Sequence, residues 1–123
     1  MALLVVAGAV DPLAAGCGST QRYPLLMPAE AATDLFTHLE TEALARRYPV
    51  RRGGDWIEVS LPEGDTLHFG VEGQDRLIVL AVTVNARASS AEETRLRHEQ
   101  RKKLGDELVD AAKASAARGR AHE

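Results

Sequence analysis

The sequence predicts an α+β fold in which a helix, an antiparallel meander of three to four strands and a second helix form a two-layer sandwich. Apolar residues recur at helical spacing over 29–47 and again after Ala91, and segments between them alternate apolar and polar residues. Only short turn clusters join those segments. The strands must therefore run antiparallel, because a parallel pair needs a crossover of a dozen or more residues.

The first helix is predicted over 29–47. Pro28 suits the first helical position, where a missing N–H costs nothing, and Pro49 ends the helix. The apolar residues of this segment share one face at helical spacing: Leu35, Phe36, Leu39 and Ala43. One side of the helix is therefore expected to pack on the sheet.

Strands are predicted over 56–61, 66–72 and 77–84, with a further short one over 50–52. The core-facing residues of the first two are expected to be Ile57, Val59, Leu61, Leu67, Phe69 and Val71. The segment 77–84 is apolar at nearly every position, which places it in the interior of the sheet.

The second helix is expected to begin at Ala91, because Ser90 and Glu93 have the spacing of a capping box. Along this helix Glu93 with Arg97, and Glu99 with Lys103, stand four residues apart, a spacing that allows ion pairs. The folded domain is predicted over 28–117, followed by a polar tail over 118–123.

Two features are candidates for binding a partner. A basic segment of the second helix is either a solvated, ion-paired face or a contact for anionic lipid headgroups or an acidic protein; its residues are Arg95, Arg97, Arg101, Lys102 and Lys103. Trp56 points away from the core-facing set of its strand. It either caps the edge of the sheet or anchors a protein interface, where tryptophan is enriched.

Composition argues against several classes of function. The 123 residues carry a net charge of −3, whereas nucleic-acid binders usually have a basic excess. The single cysteine cannot form an internal disulfide. No histidine pair has metal-ligand spacing, and no nucleophile elbow or phosphate-binding loop is present. We therefore expect no enzyme activity, cofactor, metal or nucleic-acid partner.

The N-terminal stretch contains nine uncharged residues, Ala2 to Val10, followed by Leu13, Ala14, Ala15, Gly16 and Cys17. This arrangement resembles the signal and lipobox of bacterial lipoproteins. The resemblance implies that 1–16 is a cleaved signal, that Cys17 carries the lipid, and that 17–27 is a flexible tether. It also implies a lipid-anchored place in the bacterial cell envelope, with the bilayer as one partner. Gly18 and Ser19 are similar to an outer-membrane sorting sequence of a Gram-negative host.

Two other interpretations of this stretch remain open. Leu3–Val10 also suits a buried strand, in which case the chain is a cytosolic protein-binding module. The predicted order of helices and strands in the chain is similar to that of small secretion-chaperone-like domains. A third interpretation makes Cys17 a nucleophile. The first hypothesis is a non-enzymatic envelope lipoprotein whose α+β domain binds another, unidentified envelope component.

Overall fold

The computed structural model describes residues 18–85 and 90–121, and it has the expected α+β fold with two helices and one antiparallel sheet. In chain order the elements are β1 (Ser19–Pro28), α1 (Ala32–Ala45), β2 (Val50–Arg52), β3 (Trp56–Ser60), β4 (Thr66–Glu72), β5 (Leu77–Val84) and α2 (Ala91–Ala121). Short 3₁₀ turns occupy Ala29–Ala31 and Pro62–Gly64. The strand order across the sheet is β1-β5-β4-β3-β2.

The strand β1 includes residues 19–27 of the segment 17–27 that is predicted as a tether. It pairs antiparallel with β5, with Ser19 opposite Val84 and Pro28 opposite Leu77. Pro24 is compatible with this strand because β1 lies at the edge of the sheet, where one side needs no hydrogen-bond donor. The described part of the domain therefore includes nine residues before the predicted 28–117, and the described residues form five strands instead of three or four.

The core lies between one face of the sheet and the two helices. Its largest buried side chains are Phe36, Leu39, Ile57, Leu67, Phe69, Ile78, Leu80 and Leu108. Gly105 allows α2 to approach β5 closely, since a Cβ at this position would lie 2.7 Å from Leu80 Cδ2. A glycine inside a helix costs stability, and here it makes room for the sheet.

Both helices start close to the predicted positions. At the start of α2, Ser90 N–H donates to Glu93 Oε1 (2.9 Å) and Glu93 N–H donates to Ser90 Oγ (3.1 Å), so the predicted capping box is present. The helix continues to Ala121, past the predicted end of the domain. Its final turns are rich in alanine, the best helix former.

One end of the sheet, called here the Ser19 end, contains the first residue of β1 and the last residue of β5. The end of β3 and the start of β4 lie there as well, because Ser60 pairs with Thr66 and Thr66 pairs with Thr83. The helix α1 starts at the opposite end and leads to the Ser19 end, where Ser60 N–H donates to Pro49 O (2.9 Å). The helix α2 runs in the reverse direction.

Candidate interaction surfaces

The helices cover one face of the sheet, and no described element packs on the other, which we call the open face. Because side chains alternate along each strand, the register shows which residues share this face. They are Thr20, Arg22, Pro24, Arg51, Trp56, Glu58, Ser60, Thr66, His68, Gly70, Glu72, Leu77, Val79, Ala81 and Thr83. An antiparallel sheet commonly leaves one face to solvent. The polar residues of the alternating strands therefore collect on this surface.

Trp56 lies on the open face, as strand alternation predicts, at the first position of β3. Its indole stacks on the His68 ring with a centroid separation of 5.6 Å and an angle of 15°. The Arg51 guanidinium carbon lies 5.9 Å from the indole centroid, and Arg51 also pairs with Glu58 at 3.0 Å. The indole folds back over Gly53, where a Cβ would lie 2.0 Å from Trp56 Nε1. Trp56 is therefore held on several sides and stays half-buried.

Beside this stack the open face is shallow. Gly70 lies opposite Trp56, and a Cβ there would stand 3.1 Å from His68 Cε1. Val79 and Ala81 continue the surface on β5 with small side chains. Beyond them Arg22 of β1 pairs with Glu72 at 3.5 Å. Small residues therefore lie between the Trp56–His68 stack on one side and the Arg22–Glu72 ion pair on the other.

Asp65, just before β4, is the centre of a buried ion-pair cluster at the Ser19 end. Its side chain is fully buried and accepts hydrogen bonds from Arg97 Nη2 (2.6 Å), Arg101 Nε (2.8 Å) and the Asn85 backbone N–H (2.8 Å). Burial pushes the pKa of Asp65 upward, but the hydrogen bonds from Arg97, Asn85 and Arg101 outweigh it and hold the pKa below its ordinary value. This carboxylate joins α2 to the sheet.

The sequence-predicted basic cluster is divided by this arrangement. Arg97 and Arg101 turn inward to Asp65. Arg95 stays on the surface of α2, where it pairs with Glu92 and Glu99.

The two lysines of the cluster also stay on the surface. Lys102 pairs with Asp106 (2.8 Å) and its Nζ lies 5.3 Å from the Tyr23 ring centroid, while Lys103 is exposed. The expected pairing of Glu99 with Lys103 is replaced by that of Glu99 with Arg95. A continuous positive surface is therefore not formed by the described side chains.

His98 is buried against the start of β1. Its Nε2 lies 2.9 Å from Ser19 Oγ, and its Nδ1 makes no hydrogen bond with a described residue. Burial lowers the pKa of His98; Asp65 acts in the opposite direction and Arg97 adds to the lowering. A serine next to a histidine is also part of nucleophilic sites, but these need a group that orients the histidine. Among the described residues no such group contacts His98, whose Nδ1 has no hydrogen-bond partner, and the Ser19–His98 contact joins the start of β1 to α2.

Sequence patterns identify neither Asp65 nor His98 as important. Asp65 follows a turn cluster, and turn chemistry alone explains an aspartate there. Nothing in the local pattern indicates that two arginines of a distant helix converge on it. The one available signal is Arg97 and Arg101 at i, i+4 spacing, which places both on one helix face.

Cys17, the predicted lipidation site, and Leu3–Val10, the alternative buried strand, lie outside the described residues. Within the described ranges no group of three potential metal ligands comes together. Neither described helix combines the length and apolar composition needed to cross a bilayer.

The fold and its surfaces define a two-layer α+β domain in which no element of the described ranges covers the open face of the sheet. Compared with protein-family models and with curated protein sequences, the chain matches none.

Proposed function

We propose that the chain is a non-enzymatic, lipid-anchored protein of the bacterial cell envelope that binds another envelope component through the open face. The lipid is attached at Cys17, and residues 1–16 are the signal removed on export. The partner is a protein, and Trp56 is the residue on which its contact is centred.

The anchor is supported by the lipobox-like stretch from Leu13 to Cys17. The described fold is compatible with removal of 1–16, because the five strands, both helices and the core are formed by residues 19–121. Ser19, the first paired residue, comes only two positions after Cys17. Removal of 1–16 would therefore leave every described strand and helix in the mature chain.

The binding surface is supported by one observation: the open face carries a positioned Trp56–His68–Arg51 stack that no described helix covers. Most tryptophan side chains are largely buried in a protein core. Trp56 instead lies on the side of the sheet opposite the core. Tryptophan and arginine are among the residues most enriched at the energetic centres of interfaces.

Both edges of the sheet are less suitable as binding surfaces. The edge strand β2 has three residues, two of them arginines. The other edge strand, β1, contains prolines and a bulge. Short length, charge, proline and bulges are all features that discourage the addition of a further strand.

The anchor is tested by the intact mass of protein purified from the membrane fraction of a bacterial host. We expect a mass that lacks residues 1–16 and includes a lipid on Cys17. The variant Cys17→Ser is the control and should keep residues 2–16 and lack the lipid mass. Wild-type protein that keeps residues 2–16 and has an unmodified Cys17 would contradict the anchor.

The open face is tested by photo-crosslinking in intact cells. A photoreactive residue replaces Arg22, which lies exposed on the open face, and in a matched variant it replaces Glu107, which lies exposed on α2. We expect a discrete protein adduct from position 22 that disappears when Trp56→Ala is added. Adducts from position 107 alone would assign binding to the helices and refute the proposal for the open face.

A second candidate function is a cytosolic protein-binding module in which Leu3–Val10 is a strand. The observation in its favour is that the outer edge of β1 has no partner among the described residues, and its first half, Ser19 to Tyr23, has a regular register. Deleting residues 1–16 separates the two candidates. The midpoint of thermal unfolding should stay unchanged for a lipoprotein signal and fall sharply for a removed strand.

A further inference from the structure

We infer that the domain stands on the membrane by its Ser19 end, with the first two turns of α2 and the α1–β2 loop against the lipid headgroups. This inference rests on the proposed anchor at Cys17. It assigns the bilayer contact surface and, with it, the orientation in which the open face is presented.

The segment that joins the proposed lipidated residue to the described domain is very short. Ser19 comes two positions after Cys17, so their Cα atoms are at most about 7 Å apart. Ser19 is fixed on two sides, by its pairing with Val84 and by its hydroxyl contact with His98 Nε2 at 2.9 Å. An anchored Cys17 therefore keeps the Ser19 end within reach of the headgroups. The predicted tether over 17–27 would have allowed the domain to rotate freely.

The helix α2 extends past the Ser19 end on the anchor side. His98 stands beside Ser19, and the helix begins at Ala91, several residues before it. At a rise of 1.5 Å per residue these turns reach about 10 Å beyond the end of the sheet. Leu96 is 43% exposed there, surrounded by charged side chains. An exposed leucine among charges of both signs suits the boundary between headgroups and water.

The α1–β2 loop lies at the same end of the sheet, at the edge opposite β1. Pro49 O accepts the backbone N–H of Ser60, and Leu44 in the last turn of α1 is 53% exposed. Arg47 is exposed in this loop. Four strand spacings, about 19 Å, separate this edge from β1. Two contacts this far apart resist tilting, and the strands then stand upright with the open face accessible from the side.

The experiment uses the full-length protein coupled through its only thiol, Cys17, to a maleimide-bearing lipid in phosphatidylcholine vesicles that also contain nitroxide-labelled headgroups. Tryptophan fluorescence reports proximity to the nitroxide. In a Trp56→Phe background, Leu96→Trp and Ala114→Trp place a single reporter at two points of α2, and Ala114 is exposed. The two positions are about 27 Å apart along the helix axis. Circular dichroism checks that each variant keeps its fold.

We expect the nitroxide to remove most of the emission of the Leu96→Trp variant and little of that of the Ala114→Trp variant. Wild-type Trp56 should keep nearly all of its emission. Equal quenching at positions 96 and 114 would mean that the domain swings or lies flat, and strong quenching of Trp56 would place the open face on the membrane. Either result overturns the inference. The coupling supplies the lipid chemically, so these outcomes are independent of whether cells lipidate Cys17, which the intact-mass experiment decides.

Discussion

Replacing Asp65 with asparagine should lower the stability of the domain more than any other polar substitution of similar size in the described residues. The change Asp65→Asn keeps the shape of the side chain and removes its charge. Arg97 and Arg101 then face each other across an amide that can accept from only one of them well. Their side chains are 18% and 16% exposed, so water compensates the loss only in part.

The expected cost is about 2–3 kcal/mol. Breaking a buried ion pair by removing one partner typically costs about 3–5 kcal/mol, and the residual exposure of the arginines and the retained oxygen of asparagine reduce it. The urea m value of a small domain is about 1–3 kcal/mol/M, so the unfolding midpoint should fall by about 0.7–3 M. The control is Glu63→Gln. Glu63 is 67% exposed and 3.5 Å from Arg101, and its loss should cost less than about 1 kcal/mol.

The pH dependence gives an independent check. The pKa of Asp65 in the folded protein lies below its ordinary value of 3.8, so its contribution to stability is complete above that pH and is lost as the pH falls through the folded pKa. The difference in unfolding free energy between wild type and Asp65→Asn should therefore shrink below about pH 4, where the carboxyl of Asp65 gains a proton. A variant within about 0.5 kcal/mol of wild type at pH 7 would refute the assigned role of the cluster.

Three further predictions concern single positions. The pKa of His98 is held below 6.5, so the unfolding free energy of wild type should fall as the pH drops below 6.5, where the unfolded chain gains a proton; His98→Gln should fall less in the same denaturant titrations. Gly53→Ala should displace the indole of Trp56 and shift its fluorescence to longer wavelength, whereas Gly54→Ala, with no atom within 4 Å of the new Cβ, should leave the spectrum unchanged. Leu26 is 81% exposed and has φ of 59°, so Leu26→Asn should raise the unfolding free energy by about 0.5–1 kcal/mol; a loss would show that its side chain contributes contacts.

The elements that the sequence predicts well are those specified by local patterns. The capping box at Ser90 and the alternation in β3 and β4 each depend on residues within a few positions of one another. The strand β1 depends on pairing with β5, which follows some sixty residues later. Its prolines and its position after a lipobox-like stretch favour a linker. Only the tertiary partner, which local patterns do not contain, makes it a strand.

The residues of the candidate surfaces show the same difference between what local patterns predict and what depends on tertiary contacts. The position of Trp56 on the face opposite the core follows from strand alternation, and the structure places it there. The expectation that Glu93 pairs with Arg97 takes into account only neighbours on the same helix. In the structure the Glu93 carboxylate accepts a hydrogen bond from the Ser90 N–H, and Arg97 forms an ion pair with Asp65. The contact with Asp65 is buried and combines two arginines with one carboxylate, so it gains more from the pairing than an exposed i, i+4 pair, which is worth only a few tenths of a kcal/mol.

Under the proposed anchor at Cys17, the small number of residues between Cys17 and β1 limits where the proposed partner can lie. A flexible linker would let the domain search at a distance that grows with linker length, but here β1 begins two residues after Cys17. The reach of an anchored protein is then set by the rigid domain. Its longest element, α2, has 31 residues and measures about 46 Å. Trp56 is the first residue of β3, so in the proposed lipid-anchored form the proposed partner of the open face would lie within a few tens of ångströms of the bilayer surface. For that form, the distance favours another membrane-anchored or membrane-embedded protein over a component that diffuses freely.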